Sequence, residues 1–173
     1  MSHLRNILSN INSTFLTIFY SFLQVLMFIV VYHSIAPKEF AHVIHLLKVN
    51  NQIRLIALII IVVVLIISIS LSMILSNLFS IACFFIYSDD RLSSKAFVNI
   101  FLLYLCLKIL LMSIFYNIPM PDLIFGIKFS DILSMICIYI FLVCYTQKKI
   151  KSLAMGIIMV ISAILLKVIF KAV

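Results

Sequence analysis

From Leu55 to Ser88 the chain carries no charge, in the stretch RLIALIIIVVVLIISISLSMILSNLFSIACFFIYSDDR that Arg54 opens and Asp89, Asp90 and Arg91 close. As a single α-helix this run reaches roughly 51 Å, whereas the hydrocarbon core of a bilayer is about 30 Å thick. Folding it into a hairpin leaves each half about 16 residues long, short for a span. The midpoint also holds no Gly, Pro or charge to make the bend. One unusually long helix is expected.

That run sets the class of the chain. Hydrophobic residues make up 66% of the sequence, charged residues 10%, and there are two glycines. A soluble domain of 173 residues cannot hide so much apolar surface, so its solvent is lipid. The sequence predicts an all-α integral membrane protein, a single polytopic domain over 1–173, with about five transmembrane helices and a range of four to six. Charges, Pro119, Pro121 and Gly126 bound spans near 14–36, 55–87, 97–117, 131–147 and 152–170. The apolar stretch near the N-terminus continues to about Ala36 without an A-x-A-like site, so a retained first span is expected rather than a cleaved signal peptide.

A net charge of +8 in a soluble protein would suggest nucleic acid. Here the basic residues sit at span ends, where they meet anionic headgroups, and direct nucleic-acid binding is not expected. Arg5, Arg91, Lys95, Lys148, Lys149 and Lys151 fall on one side, and Lys38, Lys48, Arg54, Lys128, Lys167 and Lys171 on the other. The counts balance. The dense cluster 148–151 tips the N-terminus toward the cytoplasm. Abundant Ile, Lys, Asn and Ser fit an AT-rich bacterial gene, and the expected location is the bacterial inner membrane.

Between the first two spans, Lys38, His42, His45 and Lys48 recur at helical steps, with Phe40, Val43, Ile44 and Leu47 opposite. This predicts a short amphipathic helix near 38–49 lying at the interface. His33, His42 and His45 raise metal binding, but only Glu39 is near to complete a cage, so interfacial polar residues are the simpler reading. Cys83, Cys106, Cys137 and Cys144 fall inside spans without a CxxC pair and read as packing residues.

Polar residues within spans are the functional candidates. Ser68, Ser72, Ser76 and Ser80 recur every fourth residue, with Ser70 and Asn77 beside them. Small residues at this spacing let helix backbones approach and donate hydrogen bonds across the contact, which predicts helix packing, self-association included. Lys108 lies near the middle of the third span, where a cation costs roughly 2.5–3.5 kcal/mol. No acid is near the centre of any span; Gln24, mid-way along the first, could supply an amide oxygen and the serine stripe hydroxyls, and otherwise Lys108 snorkels to the interface, loses its proton, faces water, or binds an anion or lipid headgroup. The end of the long helix with Asp89, Asp90, Arg91 and Lys95 is the expected docking element for a partner. The SDDRLSSK loop also offers an acidic pair for magnesium, but Arg91 and Lys95 flank it and no second acidic motif completes a phosphotransfer site. No nucleophile–base pair, glycine-rich phosphate loop or zinc motif is present, so neither enzyme activity nor a cofactor is expected.

The span pattern and the SDDRLSSK loop together resemble the membrane subunit of the bacterial Kiwa anti-phage system. This is a resemblance of architecture, carried by no motif, and it implies four spans where five are read here. It implies a membrane oligomer that anchors a cytosolic protein and responds to phage attack at the envelope. Three functions are therefore weighed: a non-enzymatic, oligomeric anchor or sensor with a cytosolic partner, in anti-phage defence or elsewhere; a homo-oligomeric pore or small transporter, where a ring of Lys108 would favour anions; and an immunity protein against a membrane-active toxin.

Overall fold

The computed structural model describes the backbone of residues 2–88, 92–115 and 129–172, and side chains within 6–88, 92–114 and 131–162. Seven α-helices and no strand occur among them: α1 (Ser2–Asn10), α2 (Ser13–Ile35), α3 (Pro37–Val49), α4 (Asn51–Tyr87), α5 (Ser94–Phe115), α6 (Phe129–Thr146) and α7 (Lys149–Ala172). By length and composition α2, α4 and α5 can each cross a membrane. The described part of α6, Asp131–Thr146, is apolar but shorter. The chain is thus an α-helical membrane protein, with three long apolar helices among the described residues.

All of the long uncharged run but its last residue, Ser88, lies within one continuous helix of 37 residues. At the α-helical rise its length is about 55 Å. Local chemistry sets its limits. The Asn50 side chain accepts from the backbone N–H of Gln52 and Ile53, capping its start. At its end Ser88 takes the left-handed conformation (φ 46°) and its N–H donates to the Phe84 carbonyl. Asn50 also terminates α3, so α3 and α4 share a one-residue corner. The corner between α2 and α3 is Ala36, which precedes Pro37 at the first position of α3. Proline disfavours the helical conformation of the residue before it, which stops α2 there. The short helix α1 is not anticipated from sequence.

Within the bundle α5 is central: 44% of its most apolar stretch is buried, against 17% for α2 and 6% for α4. The core gathers at one end, where the C-terminal half of α4, the N-terminal half of α5, the C-terminal half of α6 and the start of α7 meet, with Leu8 of α1 added. Aromatic rings make its frame, in the offset and edge-on arrangements that ring quadrupoles prefer. Phe79 stacks on Phe101 at 4.8 Å and Tyr87 on Phe97 at 5.6 Å, while Tyr145 meets Phe97 edge-on at 5.5 Å. The N-terminal half of α4 shares none of this. From Leu55 to Ile67 its large side chains are exposed, apart from the partly covered Leu65.

Candidate functional site

The serine stripe faces inward. Ser72, Ser76 and Ser80 are buried along α4, which packs against α2 and α5 and also touches α3 and α7. Ser72 and Ser76 donate their hydroxyls to the carbonyls of Ile69 and Met73 in their own helix, so toward their neighbours they act as small, satisfied side chains. Ser80 bonds across to α5, 2.9 Å from the hydroxyl and 3.2 Å from the carbonyl of Ser94. Ser68 reaches α2, hydrogen-bonding Gln24 Oε1 and lying 3.3 Å from Ser21 Oγ. The helix packing expected of this stripe is made, at Ser68 and Ser80, by contacts with the chain's own α2 and α5. Asn77 does not join the buried set: it is exposed, about 100° around the helix from Ser76.

Gln24 bonds within α2 and across to α4. Its amide nitrogen donates to the Tyr20 hydroxyl at 2.8 Å while its oxygen takes Ser68. The partner of Lys108 is an acid: Lys108 Nζ lies 3.3 Å from Asp131 Oδ1. The lysine side chain is 31% exposed and the aspartate 12%. Helix pairing explains how an acid at a span end reaches a cation well inside one. The α5–α6 hairpin is fixed at its other end by the Ser93 N–H donating to the Tyr145 hydroxyl at 2.8 Å. Fifteen residues along α5 from Ser93 bring the chain to Lys108, and fourteen back along α6 from Tyr145 bring it to Asp131. Antiparallel helices place those two positions level, and the lysine stem closes the gap. Asp131 also occupies the first turn of α6, where the helix dipole favours an anion.

A second polar knot ties the helix ends beyond the core. The Tyr87 hydroxyl meets Ser152 Oγ at 2.8 Å, and Thr146 Oγ1 is 3.4 Å from the same oxygen. Lys151 and Lys148 both donate to the Tyr87 carbonyl, at 3.2 and 3.4 Å. Two cations thus satisfy an otherwise open carbonyl at the negative end of α4. Of the expected docking residues, Lys95 is exposed in the first turn of α5; Asp89, Asp90 and Arg91 lie outside the described residues. Phe85 and Ile150, 81% and 84% exposed, are the two most exposed large hydrophobic side chains described, and both lie toward this end of their helices.

Sequence reasoning passes over Asn99. It is fully buried in α5, and its amide nitrogen donates to the carbonyls of Leu8 at 2.7 Å and Ile11 at 3.0 Å. These carbonyls belong to the end of α1, so Asn99 fastens that helix to the bundle. Its Oδ1 has no hydrogen-bond partner. The only warning in the sequence is a lone amide among apolar neighbours, AFVNIF. His42, His45 and Glu39 are exposed on α3, and no group of three metal-ligating side chains occurs among the described residues. Comparison with protein-family models, curated proteins and solved structures finds no match for this chain.

Proposed function

We propose that this chain is a non-enzymatic, multi-pass protein of the bacterial inner membrane that anchors a cytosolic protein at the end where α4, α5, α6 and α7 converge. In this reading α6 and α7 add to the three long helices to give five spans, and α3 lies along the opposite interface. The observation that carries it is the character of the knotted end. Side-chain bonds tie Tyr87, Thr146 and Ser152 to one another and Tyr145 to Ser93, which fastens the helix ends into a platform. Exposed Lys95 and Lys149 stand on that platform with the uncovered side chains of Phe85 and Ile150. A rigid basic surface with bulky apolar anchors suits a protein partner with an acidic rim. The lysine density at 148–151 favours the cytoplasm for this end. The architectural resemblance to the Kiwa membrane subunit points the same way and makes envelope defence one setting for such an anchor.

The pore reading loses its motive. A ring of Lys108 would select anions only as uncompensated charge, and Asp131 stands against each lysine.

The test is gentle extraction of the tagged full chain from its host, followed by native mass spectrometry. A soluble protein retained by the wild type and lost from Ile150→Asp and Lys149→Glu supports the anchor. A chain that carries no protein, or one whose company both substitutions leave unchanged, overturns it.

A further inference from the structure

At the end away from the knot, α2 and α4 part. They touch where Ser68 meets Ser21 and Gln24. Toward the other end α3, a helix of 13 residues, is inserted between them. From corner to corner it measures about 20 Å. The contacts of α3 are at its corners. Phe40 packs edge-on against Tyr32 at 5.9 Å and His33 at 5.1 Å beside the Ala36 bend. Arg54 of α4 donates from Nε to the Leu47 carbonyl at 3.1 Å and from Nη2 to that of Lys48 at 3.3 Å, beside the Asn50 bend. α3 therefore acts as a strut between two diverging helices. On the turns that adjoin the two corners, Phe28 and Val30 of α2 and Leu55, Leu58 and Ile59 of α4 are all exposed.

The strut is basic. Lys38, His42 and His45 fall within about 60° of one another around α3 at the helical turn per residue. Lys48 extends the same side, and all four are exposed. Glu39 is the sole acid of this helix. Arg54 holds a fifth basic group at the corner. A second copy seated across this strut would set Lys38, Lys48 and Arg54 against their own kind, at an electrostatic cost. An anionic amphiphile meets no such penalty.

We propose that the α2–α3–α4 corner is a binding site for an anionic phospholipid. Its phosphate rests on the Lys38, His42, His45 and Lys48 side of α3, and its acyl chains run down the interval between α2 and α4. The site lies at the opposite end from the partner platform and does not depend on it. It requires only that α2 and α4 cross the membrane.

The test uses the purified full chain in a mild detergent, titrated with phosphatidylglycerol or phosphatidylcholine and read by native mass spectrometry. The wild type retains phosphatidylglycerol more tightly than phosphatidylcholine. Lys38→Gln with Lys48→Gln weakens phosphatidylglycerol roughly tenfold to thirtyfold and leaves phosphatidylcholine unchanged, as expected for two surface lysines. A photoactivatable phosphatidylglycerol incubated with the wild type labels peptides covering 28–59, which needs no variant to fold. Equal retention of the two lipids, a preference that survives the double substitution, or labelling confined to other helices each overturns the site. A lipid-free dimer whose cross-links run through α3 also overturns it and names the second copy as occupant.

Discussion

Replacing Asp131 with Asn keeps the shape of the side chain and removes the charge that faces Lys108. At 3.3 Å and an effective dielectric near 20, the attraction removed is about 5 kcal/mol. Much of it is offset in the native state by the desolvation of both ions. The lysine side chain, 31% exposed, regains solvation when its partner is lost. A net destabilisation of about 2 kcal/mol is expected for Asp131→Asn. Lys108→Met should cost at least as much, because it takes the cation away from the more enclosed of the two charges. The double variant removes both charges and should fall within about 1 kcal/mol of wild type, a coupling of roughly 3 kcal/mol. The assay is reversible unfolding of the four proteins in detergent, followed by circular dichroism across a double-mutant cycle. Single losses under about 0.5 kcal/mol, the scale of a solvated surface pair, would refute a held ion pair and leave Lys108 a snorkelling side chain. Losses that simply add in the double variant would refute it equally.

Two other substitutions probe helix contacts. Ser76→Leu enlarges a fully buried side chain and should cost about 1–3 kcal/mol, seen as trypsin sensitivity of the monomer; native resistance would show that the stripe is not closed by its own chain. Asn99→Leu strands the Leu8 and Ile11 carbonyls while relieving the unpaired Oδ1, so the global loss should stay near about 1–2 kcal/mol. Its signature is local: amide exchange at residues 6–11 should rise well above that of α5, and unchanged protection there would remove Asn99 as the fastening of α1.

Legibility from sequence follows the reach of the signals. The continuity of α4 is readable because a bend needs a breaker, and residues 55–88 contain none. The contrast between its halves is readable from side-chain type, with aliphatics first and serines every fourth residue after. What covers the serines is not readable: the same stripe suits a second copy or the chain's own helices, and only the placement of α2 and α5 decides. The Lys108 partner stays hidden when depth is judged along each span separately. Asp131 is at the end of its own helix, yet hairpin register sets it level with a residue well inside α5. Asn99 has no periodicity to betray it, since one amide makes no pattern.

The excess length of α4 can be followed to its consequence. Tilting shortens the projection of a helix on the membrane normal, and transmembrane helices tilt by up to about 40°. At that limit an uncharged run of roughly 51 Å still spans about 39 Å, about 9 Å more than the hydrocarbon core. One end must therefore stand clear of the hydrocarbon, and the two ends differ in what covers them. Leu55 to Ile67 have few protein neighbours and need lipid around them. Phe79, Cys83 and Tyr87 are already enclosed by α1, α5, α6 and α7. The C-terminal end can leave the hydrocarbon at little cost to these three residues, because their apolar surface is buried in protein rather than in lipid. Such an emergence would carry Phe85, 81% exposed, and the lysines bound to the Tyr87 carbonyl toward the membrane surface. The length of the helix and the bareness of the Phe85 side chain then share one explanation under the proposed anchor, in which a partner protein would cover the far end of α4.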